Sequence, residues 1–223
     1  MEQEIKEKVR ALGADVCGIG ATRRFADAPE GFRPQDIYPN CKSVISFGLA
    51  LPKGVFELEP QLIYAHFNGE ICHKVDEVAL EAAKWMEREY GATCIPIPCD
   101  SPVKTWDKET LTAKGMISMK HAAVGCGLGE LGKSTLFLNR EYGSRLILGA
   151  VLTNLELASD PLETGICIPG CRKCVEHCPS GAIQEGRVVQ KLCREVAYGK
   201  MVREFGTVEC NTCRRICPRY LGC

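Results

Sequence analysis

The chain has no apolar run approaching 18 residues, so nothing in it reads as a membrane-spanning helix. No signal-peptide pattern opens it. The pair Arg23-Arg24 suggests export at first sight, but Phe25-Ala26-Asp27-Ala28-Pro29 follows as a loop where an export signal needs an apolar segment. Basic residues are not in excess either. Lysine plus arginine number 28 against 28 aspartates and glutamates, which argues against a long polyanion as partner, although a local patch escapes such a count. Low-complexity stretches and internal repeats are missing outside the cysteine runs. Together these absences lead to the expectation of a cytoplasmic protein without membrane contact, in a reducing compartment where thiols stay free or metal-bound.

What the chain has is cysteine, 15 in 223 residues. Eight fall near the C-terminus in two interlocking sets: Cys167, Cys171, Cys174 and Cys178-Pro179, then Cys193, Cys210, Cys213 and Cys217-Pro218. A [4Fe–4S] cube takes four thiolates, and two runs that each end in Cys-Pro are how two-cluster ferredoxins supply eight. Backbone that curls around so small a cube turns its fourth cysteine away, towards the other cube. The spacing therefore assigns Cys167, Cys171, Cys174 and Cys217 to one cluster, and Cys193, Cys210, Cys213 and Cys178 to the other. The first run carries one residue more than usual in Ile168-Pro169-Gly170, which a Pro-Gly turn can absorb. Zinc fits less well, because its cysteine pairs are set apart by longer spacers.

The other seven, Cys17, Cys41, Cys72, Cys94, Cys99, Cys126 and Cys223, exceed what two clusters require. Most are expected as buried reduced thiols that behave as small hydrophobes. Cys72-His73 and Cys94-x4-Cys99 form a lesser alternative as soft metal ligands. His66, His73, His121 and His177 show no ligand spacing with one another.

The cluster run occupies the last third, so the first part has enough residues for a core of its own. Two domains are expected, residues 1–155 and 156–223. The first reads as alternating helices and strands: a helix over 2–12 closed by Gly13, strands over Val16–Ala21 and Ser43–Leu51, and a helix over about 72–89 with Val75, Val78, Ala82, Trp85 and Met86 on one face. Cys94–Ile97 and Arg145–Thr153 read as further strands, and Asn154–Glu163 as a linker. The polar stretch up to Gly115 shows no period. In the cysteine region a hairpin is expected over Ala182–Val189 and a helix from Glu195 to Arg203.

Residues 127–134, Gly-Leu-Gly-Glu-Leu-Gly-Lys-Ser, satisfy two phosphate-binding patterns at once. Both need a strand just before the glycines, and Ile117–Val124 reads as a helix. A Walker loop would also need most of a nucleotide domain downstream, where little chain remains before the linker. The favoured reading is a loop whose backbone N–H groups face a bound cofactor, with a plain glycine turn as the alternative.

From Lys120-His121 through Gly127-Leu128-Gly129-x-x-Gly132-Lys133-Ser134, then Leu136–Arg145, Leu148-Gly149 and the two cysteine runs, the chain resembles the epoxyqueuosine reductase family, with reductive dehalogenases as more distant relatives. The resemblance implies an α+β protein: a nitroreductase-like α/β N-terminal domain that holds cobalamin beside a C-terminal ferredoxin-like domain with two [4Fe–4S] clusters. It implies that Lys120, His121, Gly127, Leu128, Gly129, Gly132, Lys133 and Ser134 lie against the corrin. The family's Val-Asp-x-Ala-Pro segment, whose aspartate gives a proton, has its nearest analogue in Cys99-Asp100-Ser101-Pro102, which makes Asp100 the catalytic candidate; an Asx-turn is its structural alternative. The family's helical-repeat extension that grips transfer RNA is not seen here, so the expected partners are a small-molecule substrate and an external low-potential electron donor, and a transfer RNA is not expected. A ferredoxin-type carrier or partner subunit, with no cobalamin chemistry of its own, is the competing reading.

Overall fold

The computed structural model describes residues 1–58, 62–184, 186–200 and 206–223. In chain order its elements are α1 (Glu2–Ala11), β1 (Val16–Ala21), α2 (Pro34–Ile37), β2 (Ser43–Ala50), α3 (Leu62–Tyr90), β3 (Cys94–Ile97), β4 (Thr105–Asp107), β5 (Thr112–Lys114), α4 (Met119–Gly125), β6 (Glu130–Leu131), β7 (Phe137–Leu138), β8 (Leu146–Thr153), α5 (Lys173–Glu176), α6 (Gln190–Ala197), β9 (Tyr198–Lys200), β10 (Gly206–Val208) and α7 (Thr212–Arg215).

Four strands form the central sheet in the order β1-β2-β8-β3, every neighbouring pair antiparallel. The two middle strands are apolar along nearly their whole length because both sheet faces are covered. Side chains alternate across the sheet. Ile45, Phe47 and Val151 face α1 and α3, while Val44, Ala150 and Leu152 face the side on which α4 packs. The architecture is thus mixed α and β, in three layers. No described helix is long and apolar enough to cross a membrane.

Strands β1, β2, β3 and β8 lie where the apolar runs place them. Three other expectations change. The central helix begins at Leu62, ten residues before the expected start near 72, with Tyr64 and Ile71 extending its buried stripe past Asn68 and Gly69. The polar stretch before Gly115 is a hairpin of β4 and β5, turned by Asp107 Oδ1, which accepts the N–H groups of Glu109 and Thr110. The last long helix is α6, Gln190–Ala197, and not a segment from Glu195; pairing of Tyr198 with Val208 ends it, and residues 201–203 of the expected helix lie outside the described residues. Of the expected hairpin, an Ile183–Val188 bridge is present, while Glu185 lies outside the described residues.

The stretch expected as a linker is strapped to the sheet edge. Leu157 is buried, and Asp160 pairs with Lys6 at 2.7 Å while its other oxygen accepts the Ile19 N–H at 2.9 Å. Ser159 Oγ accepts the Ala21 N–H at 2.9 Å. The C-terminal segment returns to the same body: the Ser144 N–H donates to the Tyr220 carbonyl at 3.0 Å and the Cys223 N–H to that of Arg140 at 2.7 Å.

Candidate functional site

Short helices α5 and α7 pack on each other and carry Cys174 and Cys213. Around them the eight thiols sort into two groups. Cys167, Cys171, Cys174 and Cys217 line one hollow, so the fourth thiol of the second run joins three of the first. Burial pushes the Cys217 thiol up, and the charges of Cys167, Cys174 and Cys171 act in the same direction. In the other group burial pushes Cys213 up to about 11, with Cys193, Cys210 and Cys178 adding to it. Cys193 rises by burial first and then through Cys178 and Cys210. Among the described residues no three His, Cys, Asp or Glu side chains converge on a point as a single ion requires. The thiols of the first set line one hollow.

The glycine loop positions the first of these runs. Glu130, between Gly129 and Gly132, accepts the backbone N–H of Gly165 at 2.9 Å, of Ile166 at 2.8 Å and of Cys167. Lys133 Nζ donates to the Ile168 carbonyl at 3.2 Å, so this lysine is tied to the cysteine loop. Gly132, Lys133 and Ser134 line the same hollow as the four thiols. The helix before the loop is α4, so no strand precedes the glycines and neither nucleotide pattern has its context.

Gly127 and Gly129 are explained by the protein's own backbone. A Cβ on Gly127, whose φ is +77°, would run into the Pro161 carbonyl, and one on Gly129 into that of Leu138. Leu128 is buried against Phe137 and Leu146. These three therefore serve packing in the structure and line neither hollow. His121 is exposed, its Nδ1 sharing a hydrogen bond of 2.7 Å with Ser118 Oγ, and it too stands outside both.

A second cavity, of about 190 Å³ and open on one side, lies across β7 from the first. Phe137 faces it while Leu138 faces the thiol hollow, as alternation along a strand requires. Asp100 stands exposed on its rim. Lys120 lies in its wall, donating to the Thr135 carbonyl at 2.7 Å, and burial lowers its ammonium from the ordinary lysine range. Arg214 enters from α7, its guanidinium 5.0 Å from the Phe56 ring and bonded to the Ser144 carbonyl. Ser144 Oγ, also on the wall, is a buried hydroxyl with no partner among the described residues. Sequence reasoning singled out Asp100 and Lys120 but missed Glu130, Ser144 and Arg214, since nothing local marks a glutamate between glycines or an arginine after a ligand cysteine.

No family model matches the chain. An epoxyqueuosine reductase of Lactococcus garvieae is 28% identical over 211 residues, covering 86% of this chain and 56% of its own. In fold, the chain superposes along its whole length on an epoxyqueuosine reductase from Streptococcus thermophilus with a TM-score of 0.70 at 19% identity, covering 67% of that structure. The chain is thus similar to the epoxyqueuosine reductases in sequence and in fold. It also shares its fold, with a TM-score of 0.71 at 19% identity and covering 97% of this chain and 31% of the other, with a reductive dehalogenase whose structure suggests a mechanism for B12-dependent dehalogenation. The chain spans about half the length of the curated relatives it matches.

One expectation is overturned here. A transfer RNA was set aside because the family's helical-repeat extension is not seen here, with the neutral charge in agreement, yet an epoxyqueuosine reductase of this fold has been solved with a tRNA-Tyr stem loop carrying the epoxyqueuosine modification. A net charge averages the surface and says nothing of one face: Arg172, Lys173, Arg214, Arg215 and Arg219 crowd around α5 and α7 in a chain whose sum is zero.

Proposed function

We propose that the chain is an iron–sulfur oxidoreductase of the cobalamin-dependent kind, in which two [4Fe–4S] clusters supply low-potential electrons to a substrate reduced in the open cavity. The single observation that carries this is that four thiols from two separate runs line one hollow, while the next residue of β7 lines the cavity that holds Asp100 and Lys120. In this reading residues 156–223 are a ferredoxin-like unit and residues 1–155 a nitroreductase-like unit, packed as one body through the strap at Asp160 and the returning C-terminal segment.

The thiol sets fit cubes in number and grouping. The second cavity fits a corrin in part: its wall carries the Arg214 guanidinium, and its open side leaves room for a group larger than about 190 Å³. When bound, the clusters provide single electrons and cobalamin the metal centre that hands them to the bond being reduced. The residues do the rest. Asp100, which stands at the rim, would give the proton to the bond being cleaved. Lys120, whose charge is disfavoured by burial, holds the Thr135 turn of the glycine loop against the cavity. Phe137, Leu146 and Leu148 give part of the wall an apolar surface.

The test is anaerobic reconstitution followed by iron, sulfide and absorption analysis, before and after cobalamin is added. About eight irons per chain are expected, with Cys217→Ala and Cys171→Ala losing one and the same cluster, Cys178→Ala and Cys210→Ala the other. A corrin spectrum unchanged by the protein removes cobalamin from the proposal, and an iron content far below eight removes the clusters.

A further inference from the structure

Two cysteines outside the cluster sets face each other in the second cavity. Cys72 stands on α3, Cys99 follows β3, and both line the cavity wall. Asp76 lies one turn along α3 from Cys72, on the same helix face. Its Oδ1 accepts the Cys99 backbone N–H at 2.8 Å, which pins the segment after β3 to the helix beside Cys72. The two thiols interact: Cys99 lowers the Cys72 thiol against the effect of burial, and Cys72, then burial, raises the Cys99 thiol. Both are only partly buried, whereas Cys17, Cys41, Cys94 and Cys126 are buried. Cys94, the nearest competitor in sequence, turns its sulfur away to Thr153 Oγ1 at 3.4 Å.

We propose that Cys72 and Cys99 form a reversible dithiol–disulfide pair in the cavity wall, oxidised by low-molecular-weight disulfides that enter from the open side. The Cys72 thiolate attacks one sulfur of R–S–S–R; a Cys72–S–S–R bond forms, the oxidant's S–S bond breaks, and R–S⁻ leaves to take up a proton. Cys99 gives its proton to solvent and attacks the Cys72 sulfur, forming the Cys72–Cys99 bond and expelling the second R–S⁻. Two protein thiols lose two electrons, and the oxidant becomes two R–SH. A thiol with stabilised thiolate character is the attacking partner in such an exchange, and the neighbour with the raised thiol is the resolving one. The bond joins the residue before Asp100 to α3, so oxidation fixes the rim that carries Asp100. This inference does not rest on the cluster or cobalamin reading.

The experiment uses the full chain with its clusters loaded, kept without oxygen, treated with oxidised glutathione, then alkylated, digested and mapped by mass spectrometry. The expected result is a peptide pair linked through Cys72 and Cys99 that dithiothreitol releases. Cys99→Ser should trap glutathione on Cys72, and Cys72→Ser should leave Cys99 open to alkylation, with iron content unchanged in both. Full alkylation of Cys72 and Cys99 in the treated wild-type protein, or a link from Cys99 to Cys94 instead, overturns the proposal.

Discussion

Glu130 is the residue on which the first cysteine run hangs, since its carboxylate accepts three consecutive backbone N–H groups ending at Cys167. Hydrogen bonds to a charged acceptor contribute about 1.5–3 kcal/mol each, and their loss here loosens the loop that carries the first thiol. Glu130→Ala is expected to lower the iron bound from about eight to about four per chain, leaving the second set loaded; iron and sulfide analysis of the reconstituted variant checks this. A second residue-scale effect concerns pH. Burial pushes the Cys41 thiol from 9.0 up to about 11 and the Cys17 thiol up to about 12. Between those values the folded state keeps a proton that the unfolded chain has released, so this stability is complete below about pH 9 and is lost as pH rises through the folded values. Each thiol costs about 1.4 kcal/mol per pH unit across its window. Urea midpoints should therefore hold steady up to about pH 8.5 and fall by about pH 10, with a shallower fall in Cys41→Ala.

At the scale of elements, Gln190 and Arg194 of α6 both reach the β4–β5 hairpin, and Gln190 bonds its backbone. Gln190 Oε1 accepts the Ala113 N–H at 3.0 Å and its Nε2 donates to the Ala113 carbonyl at 3.1 Å, which reproduces a strand pairing from a helix. Gln190→Ala is expected to cost about 1–3 kcal/mol locally and to expose residues 105–114 to proteolysis; limited digestion followed by mass mapping reads it. The hairpin was hidden in the sequence because β4 is exposed throughout and β5 only partly covered, so no alternation of apolar and polar residues records it. The central strands were plain because continuous apolar runs such as Val44–Leu49 leave a covered strand as the simplest reading. The early turns of α3 were lost at Asn68-Gly69, a helix-poor pair held by the packing of Tyr64 and Ile71. The spacing joined Cys217 to Cys167, Cys171 and Cys174 before any fold was in hand, and these four line one hollow; that they hold a cluster belongs to the proposal. The cavity was not, since Cys72, Cys99, Ser144 and Arg214 come from four distant segments and meet only in the folded chain.

Across the whole molecule, the segment read as a linker is part of the sheet's edge. Asp160 joins α1 through Lys6 and β1 through Ile19, with its side chain only 27% exposed. Asp160→Ala removes an ion pair and a backbone acceptor together, and a loss of about 2–4 kcal/mol is expected, between a surface bridge and a buried one. Calorimetry should show one transition shifted down by about 2–4 °C for each kcal/mol. Two separate transitions would instead mean that the cysteine-rich part and the sheet melt independently.

The strand Phe137–Leu138 turns one side chain to the sulfur hollow and the next to the cavity, so the two spaces meet at adjacent residues. On the proposed reading, charge leaving sulfur for the cavity would pass residues 137 and 138, and substitutions there should change its rate without touching a thiol.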